Sequence, residues 1–312
     1  MSVEGWVAMK DAANGVSLAS EVTSGRVAVG RREFLRQSVL TAAGTIVAGE
    51  FRAQSESADT KSKVVIPHLP GAVGITNLKV YDTASPDGIR GGCPHLHLAC
   101  TEAYVVLKGK GSVQTLSCEG FKEVMLEPGR LVWFTPGVLH RLVNRDGLLE
   151  ILIIMQNAGL PEAGDFVLSF SPDIMADPTL YNQAATLAPS TGGDSTASDQ
   201  SAFHRRDLAV IGFNQLREKS ATEGPSAMEE FYRTAAALIE PKISHWRQVW
   251  KENALHVVSQ TETALSALAS GQLSNLRQGR ICNLPGVAGN RRPRFCGYAY
   301  RYELEGAIQE PN

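Results

Sequence analysis

The chain has 312 residues, 43% of them hydrophobic and 20% charged, with 30 lysines and arginines against 32 aspartates and glutamates for a formal charge of −2. That length can bury one large core or two modest ones, and the near-neutral balance, without a long basic run, excludes a nucleic-acid footprint. Five cysteines, an odd and low count, exclude a disulfide scaffold, and Cys282 with Cys296 is the pair best able to close a loop if the protein is exported.

Residues 1–29 are small and polar without periodicity. Arg31-Arg32-Glu33-Phe34-Leu35-Arg36 follows, and then a weakly apolar run over 38–49. Paired arginines, a Phe-Leu pair and an apolar stretch in that order resemble a twin-arginine export signal, with cleavage near Gly49 or Ala53. The run is too short for a membrane span. The expected location is periplasmic or secreted; if the arginines merely solvate an amphipathic helix, it is cytoplasmic. Residues 1–53 are read as this signal and the start of a spacer that continues to Lys63. Residues 64–67 and 75–81 then read as opening strands, with His68 in a loop between them.

The stretch 88–144 carries the chemistry. His95 and His97 stand two apart, so on a strand both face the same way while Leu96 faces oppositely. Residues 98–101 have the length of a hairpin connection, after which 102–108, rich in β-formers, returns a carboxylate at Glu102 to the histidines. A turn at Gly109-Lys110-Gly111 follows, and a later strand at 131–134 delivers His140 beyond a Pro136-Gly137 bend. Three imidazoles and one carboxylate suit Fe(II), Mn(II), Zn(II), Ni(II) or Cu(II). Cys93 and Cys100, which flank the histidine pair, fit small packing residues better than ligands, and Asn144 reads as a hydrogen-bonding residue.

This arrangement resembles the cupin superfamily. Its first motif is matched through His95, His97, Glu102 and Gly109, with Gly88 or the Gly91-Gly92 pair at its head. The second is matched through Gly129, Pro136, Gly137, His140 and Asn144, with the spacing from Pro136 to His140 one residue shorter than usual. The resemblance implies a single jelly-roll β-barrel over 64–157, with a divalent metal held inside by His95, His97, Glu102 and His140. It also implies chemistry of the dioxygenase, lyase, decarboxylase or isomerase kind on a small molecule, with Glu102 as the residue able to move a proton. A non-catalytic exported metal or ligand binder is the alternative. Folding in the cytoplasm before twin-arginine export favours Mn or Fe, because a site metallated outside would follow the affinity order toward Cu or Zn. Barrels of this kind often associate, so a homodimer is compatible.

Residues 148–155 are almost wholly apolar, as in a strand covered on both faces. After turn-rich 157–165 come a short strand at 166–170 and a linker-like stretch at 187–200. The periodicity then becomes helical: helices are expected over 203–219, over 226–240 from Pro225 to Pro241, and over 244–270. The last carries an apolar seam through Trp246, Trp250, Leu255, Val258, Leu265 and Leu268 and stops at Gly271. His204, His245 and His256 read as surface or packing residues. The aromatic alternation of 295–302 can add a final strand. The fold expected is therefore mainly β plus α: one barrel with a helical extension over 158–312.

Overall fold

The computed structural model describes residues 67–187, 196–286 and 291–309; the twin-arginine-like segment, the spacer and residues 64–66 of the first expected strand lie outside them. Thirteen strands run through the described residues. β1 (Gly74–Val80), β2 (His95–Leu96), β3 (Glu102–Lys108), β4 (Gly111–Ser117), β5 (Gly120–Leu126), β6 (Leu131–Phe134), β7 (Leu139–Asn144), β8 (Glu150–Met155) and β9 (Val167–Leu168) precede the helices. β10 (Cys282–Asn283), β11 (Arg292–Pro293), β12 (Gly297–Arg301) and β13 (Ile308–Gln309) follow them. One antiparallel sheet is ordered β11-β12-β1-β8-β3-β6 and the other β5-β4-β7-β2-β9, with β10 and β13 pairing apart. This is the two-sheet jelly-roll arrangement. The expected final strand is present as β12, paired along β1 from Thr76 opposite Arg301 to Val80 opposite Gly297.

Two layers of core result. Between the sheets lie Leu78, Tyr104, Val106, Val113, Leu126, Leu142, Leu149 and Ile151, each at the alternate position that faces inward. A second core joins Leu96, Leu116, Leu139 and Leu168 to the helices. These are α1 (Pro172–Ala176), α2 (Pro178–Ala185), α3 (Thr196–Glu223), α4 (Pro225–Ile239), α5 (Ile243–Trp250), α6 (His256–Ala269) and α7 (Ser274–Arg277). Outward residues of the five-stranded sheet thus bury against Phe213 of α3, Met228 and Phe231 of α4, and Trp246 of α5. The approach is close: a methyl group on Gly212 would stand 2.2 Å from the Ser169 carbonyl oxygen.

Several expectations change at this level. Residues 98–101 do not close a hairpin, because β2 pairs with β7 and β9 whereas β3 pairs with β6 and β8. The segment crosses from one sheet to the other, and Glu102 meets the histidines across the barrel. The strand covered on both faces is β7, buried at every position, rather than β8, whose Leu152 and Ile154 remain half-buried. β7 lies beneath the helices, whereas Leu152 and Ile154 sit on the face of β8 away from Ile151 and the core between the sheets. The helix expected over 203–219 extends over Thr196–Glu223, so part of the expected linker is helical. The helix expected over 244–270 is interrupted by a π-turn at Lys251–Leu255, and α6 buries none of its residues. Trp246 is core, but Leu255, Val258, Leu265 and Leu268 are exposed.

Candidate metal centre

β2 and β7 place His95 directly opposite His140, and both rings point between the sheets. His97, just beyond the end of β2, keeps the same face, and Glu102 at the start of β3 comes from the opposite sheet. One donor atom from each of the four lies within 4.8 Å of the others. His140 Nε2 is 3.2 Å from His95 Nε2 and 3.0 Å from Glu102 Oε2, while His97 Nε2 is 3.5 Å from the same carboxylate oxygen. All four side chains are buried.

The other nitrogen of each ring is occupied by backbone. His95 Nδ1 donates to the Cys93 carbonyl at 3.0 Å, His140 Nδ1 to the Val138 carbonyl at 3.0 Å, and His97 Nδ1 to the Asp165 carbonyl. These bonds assign the proton to Nδ1 on every ring, leaving three Nε2 lone pairs aimed at one point. Glu102 Oε2 is buried there without a hydrogen-bond donor. Four acceptors this close repel one another unless a positive charge stands among them. Imidazole nitrogens with a carboxylate oxygen are a borderline-to-hard donor set, so the cluster is compatible with a divalent ion.

In the protein alone, burial and mutual charge shift these groups in opposite directions. Burial, with His140 and His97 alongside, drives His95 well below the usual imidazole range. Burial would lower His97 too, but its hydrogen bond to Asp165 and the charge of Glu102 more than reverse that. Burial would raise Glu102, yet the surrounding imidazoles, His140 foremost, hold it down at about 2, so it is ionised at neutral pH.

Three neighbours escaped the motif reading. Asp165 holds the crossing segment, its Oδ1 accepting from the Leu98 and Ala99 amides at 3.0 and 2.9 Å. It lies in a turn-rich stretch, and nothing in the local sequence marks it. Tyr104 stands two residues beyond Glu102 and so faces inward with it, a signal the alternation did carry; its hydroxyl is buried without a hydrogen-bond partner. Arg141, fully buried on the outer side of β7, bonds Asp87 at 2.6 Å and Ser85 Oγ at 2.8 Å.

The remaining expectations divide. Asn144 is a hydrogen-bonding residue, donating to the Val80 carbonyl at 3.0 Å and accepting from the Leu149 amide at 3.2 Å. Cys93 and Cys100 are buried, and burial pushes the Cys93 thiol up to about 12. His204, His245 and His256 are exposed, and His68 is no part of the cluster. Cys282 and Cys296 do not pair: both are free, and Cys296, the residue before β12, is buried with its sulfur 3.5 Å from the Cys93 carbonyl.

No protein-family model matches the sequence, and no curated protein matches it. Among solved structures the chain is similar to a TDP-fucose-3,4-ketoisomerase from Campylobacter jejuni, at 13% identity over 30% of this chain and 64% of that one, with a TM-score of 0.25. A cupin protein from Bacteroides fragilis shares 23% identity over 28% and 65%, with a TM-score of 0.21. A Klebsiella pneumoniae protein with a double-stranded β-helix domain shares 17% over 30% and 70%, with a TM-score of 0.22. The chain spans less than two thirds of the length of the first two, and likenesses this slight do not bear on activity. Fold and site together show a jelly-roll barrel with packed helices, holding three imidazoles and one carboxylate in a buried cluster compatible with a divalent ion.

Proposed function

We propose that this chain is a metal-dependent enzyme of cupin type acting on a small molecule, with His95, His97, Glu102 and His140 as ligands. One observation carries the reading: all three imidazoles have Nδ1 committed to backbone carbonyls, while their free nitrogens and an undonated carboxylate oxygen converge. A divalent ion bound there supplies Lewis acidity toward a substrate oxygen or, if it is redox-active, activation of dioxygen. The chain's own groups do the rest. Asp165 orients His97, and Glu102, ionised and inward, supplies the negative charge that would offset a bound cation. Burial next to Glu102 raises Tyr104 well above the phenol range, so its hydroxyl stays protonated and available to donate to a substrate oxygen. Phe134, 4.2 Å from His140, and Phe295, 5.6 Å from His95, centroid to centroid, exclude water from the rings.

Mn or Fe is the proposed ion and export the proposed fate, both supported by the twin-arginine-like sequence alone. Elemental analysis of protein isolated from its native compartment tests the metal. We expect about one divalent ion per chain, lost in His97→Ala; a chain that neither carries nor binds Mn, Fe, Zn, Ni or Cu overturns the reading. Burial favours a second reading. With the ligands between 0% and 7% exposed, the barrel can hold an ion without turning over a substrate. Oxygen uptake or product formation across a substrate panel, present in wild type and absent in His97→Ala, separates the two.

A further inference from the structure

The buried face of α3 runs through Ala202, Arg205, Arg206, Ala209, Val210 and Phe213, so two neighbouring arginines are turned into the protein. Arg206 is satisfied on every nitrogen. Its Nη1 donates to the Thr83 carbonyl and hydroxyl at 3.1 and 2.7 Å, its Nη2 to the Ala84 carbonyl at 2.9 Å, and its Nε to Asp207 at 2.8 Å. Arg205 is not. At 4% exposure it donates from Nη1 to the Ala185 carbonyl at 3.1 Å, while Nε and Nη2 have no hydrogen-bond partner among the described residues.

Those two nitrogens share one edge of the guanidinium, where both N–H bonds point the same way. That edge matches the two oxygens of a carboxylate in parallel hydrogen bonds. Among the described residues no carboxylate is hydrogen-bonded to it, and the titratable groups that act on Arg205 most strongly are Cys93, Tyr81, Cys296 and a second cation, Arg294. A buried guanidinium whose fork is unpartnered among the described residues is suited to an anion. Its position relates it to the metal centre. The Arg205 Cζ stands 4.5 Å from the centroid of Phe295, and that half-buried ring is the one lying 5.6 Å from His95.

We propose that the Nε and Nη2 edge of Arg205 seats the carboxylate of a small carboxylic-acid substrate, with Phe295 between that seat and the metal-facing histidines. The word substrate rests on the metalloenzyme reading; the carboxylate seat does not. Full-length protein stripped of metal by a chelator, so that an added acid cannot bind an ion, is titrated calorimetrically with propionate and with its neutral isostere propionamide, and thermal unfolding is followed in parallel. Propionate binds and raises the melting temperature; propionamide does neither. Arg205→Gln weakens propionate at least tenfold, and Arg205→Lys, which keeps the charge but not the fork, weakens it by about tenfold.

Equal responses to acid and amide, no propionate binding by wild type, or unchanged propionate binding in Arg205→Gln overturns the proposal. The wild-type comparison stands even if a variant fails to fold. Metal content measured in the same proteins keeps the two ideas apart. Propionate binding in a chain that takes up no metal sinks the metalloenzyme and leaves the seat, and intact metal binding without a propionate response does the reverse.

Discussion

Replacing Asp165 by alanine removes the side chain that takes two backbone hydrogen bonds from the segment between His97 and Glu102, which Gln156 also holds through the Thr101 amide. The Asp165 carboxylate accepts from two backbone amides, Leu98 at 3.0 Å and Ala99 at 2.9 Å. A hydrogen bond to a charged group contributes about 1.5–3 kcal/mol, and partial exposure of these amides argues for the lower end, so losing both costs about 3 kcal/mol. For a chain of this size that is a fall of about 6–12 °C in melting temperature. Because the same segment fixes His97, metal affinity should fall about 10–100-fold. Asp165→Asn retains an oxygen for both amides and should recover most of the stability. Thermal unfolding of the metal-free proteins, with metal competition titrations alongside, measures both effects. An alanine variant as stable as wild type, or an asparagine variant as damaged as alanine, would show that the two amide bonds do not hold this segment.

Asp87→Asn leaves the fully buried Arg141 without its carboxylate and should cost about 3 kcal/mol, the lower end for a broken buried pair because Asp87 is partly exposed. Burial would raise Asp87, but Arg141 holds it down at about 2. Its contribution is therefore present above the ordinary carboxylate value and lost as pH falls through about 2. Denaturant unfolding of wild type and variant between pH 6 and pH 2 should converge at the acid end; a constant gap would refute the pairing. Gly109→Ala should destabilise by about 2–4 kcal/mol in the same assay. Its φ of +77° disfavours a side chain, and a methyl there would stand 2.4 Å from the Leu148 carbonyl carbon. Unchanged stability would mean the turn relaxes at no cost.

How much of this was legible in the sequence can be judged residue by residue. Alternation alone put His95 and His97 on one face, because a strand repeats every two residues, and the same period, unread at that point, places Tyr104 with Glu102. The helical stripe of α4 was likewise readable: of Ala227, Met228, Phe231, Ala235, Leu238 and Ile239, which helical spacing puts on one face, all are buried except the half-buried Leu238. The face of α3 was not, because Arg205 and Arg206 sit where a hydrophobic pattern expects apolar side chains.

What the sequence by itself determined is local: which residues alternate, where glycine and proline allow turns, and that three imidazoles and a carboxylate occur at strand spacing. Only the tertiary structure decided that Glu102 approaches from the opposite sheet, that Asp165 returns to hold His97, that β7 rather than β8 is buried on both faces, and that Cys296 lies beside Cys93 instead of pairing with Cys282. Each of these depends on which strands become neighbours across long separations in the chain. Strand pairing is set by the joint burial of many side chains, which no short stretch of sequence encodes.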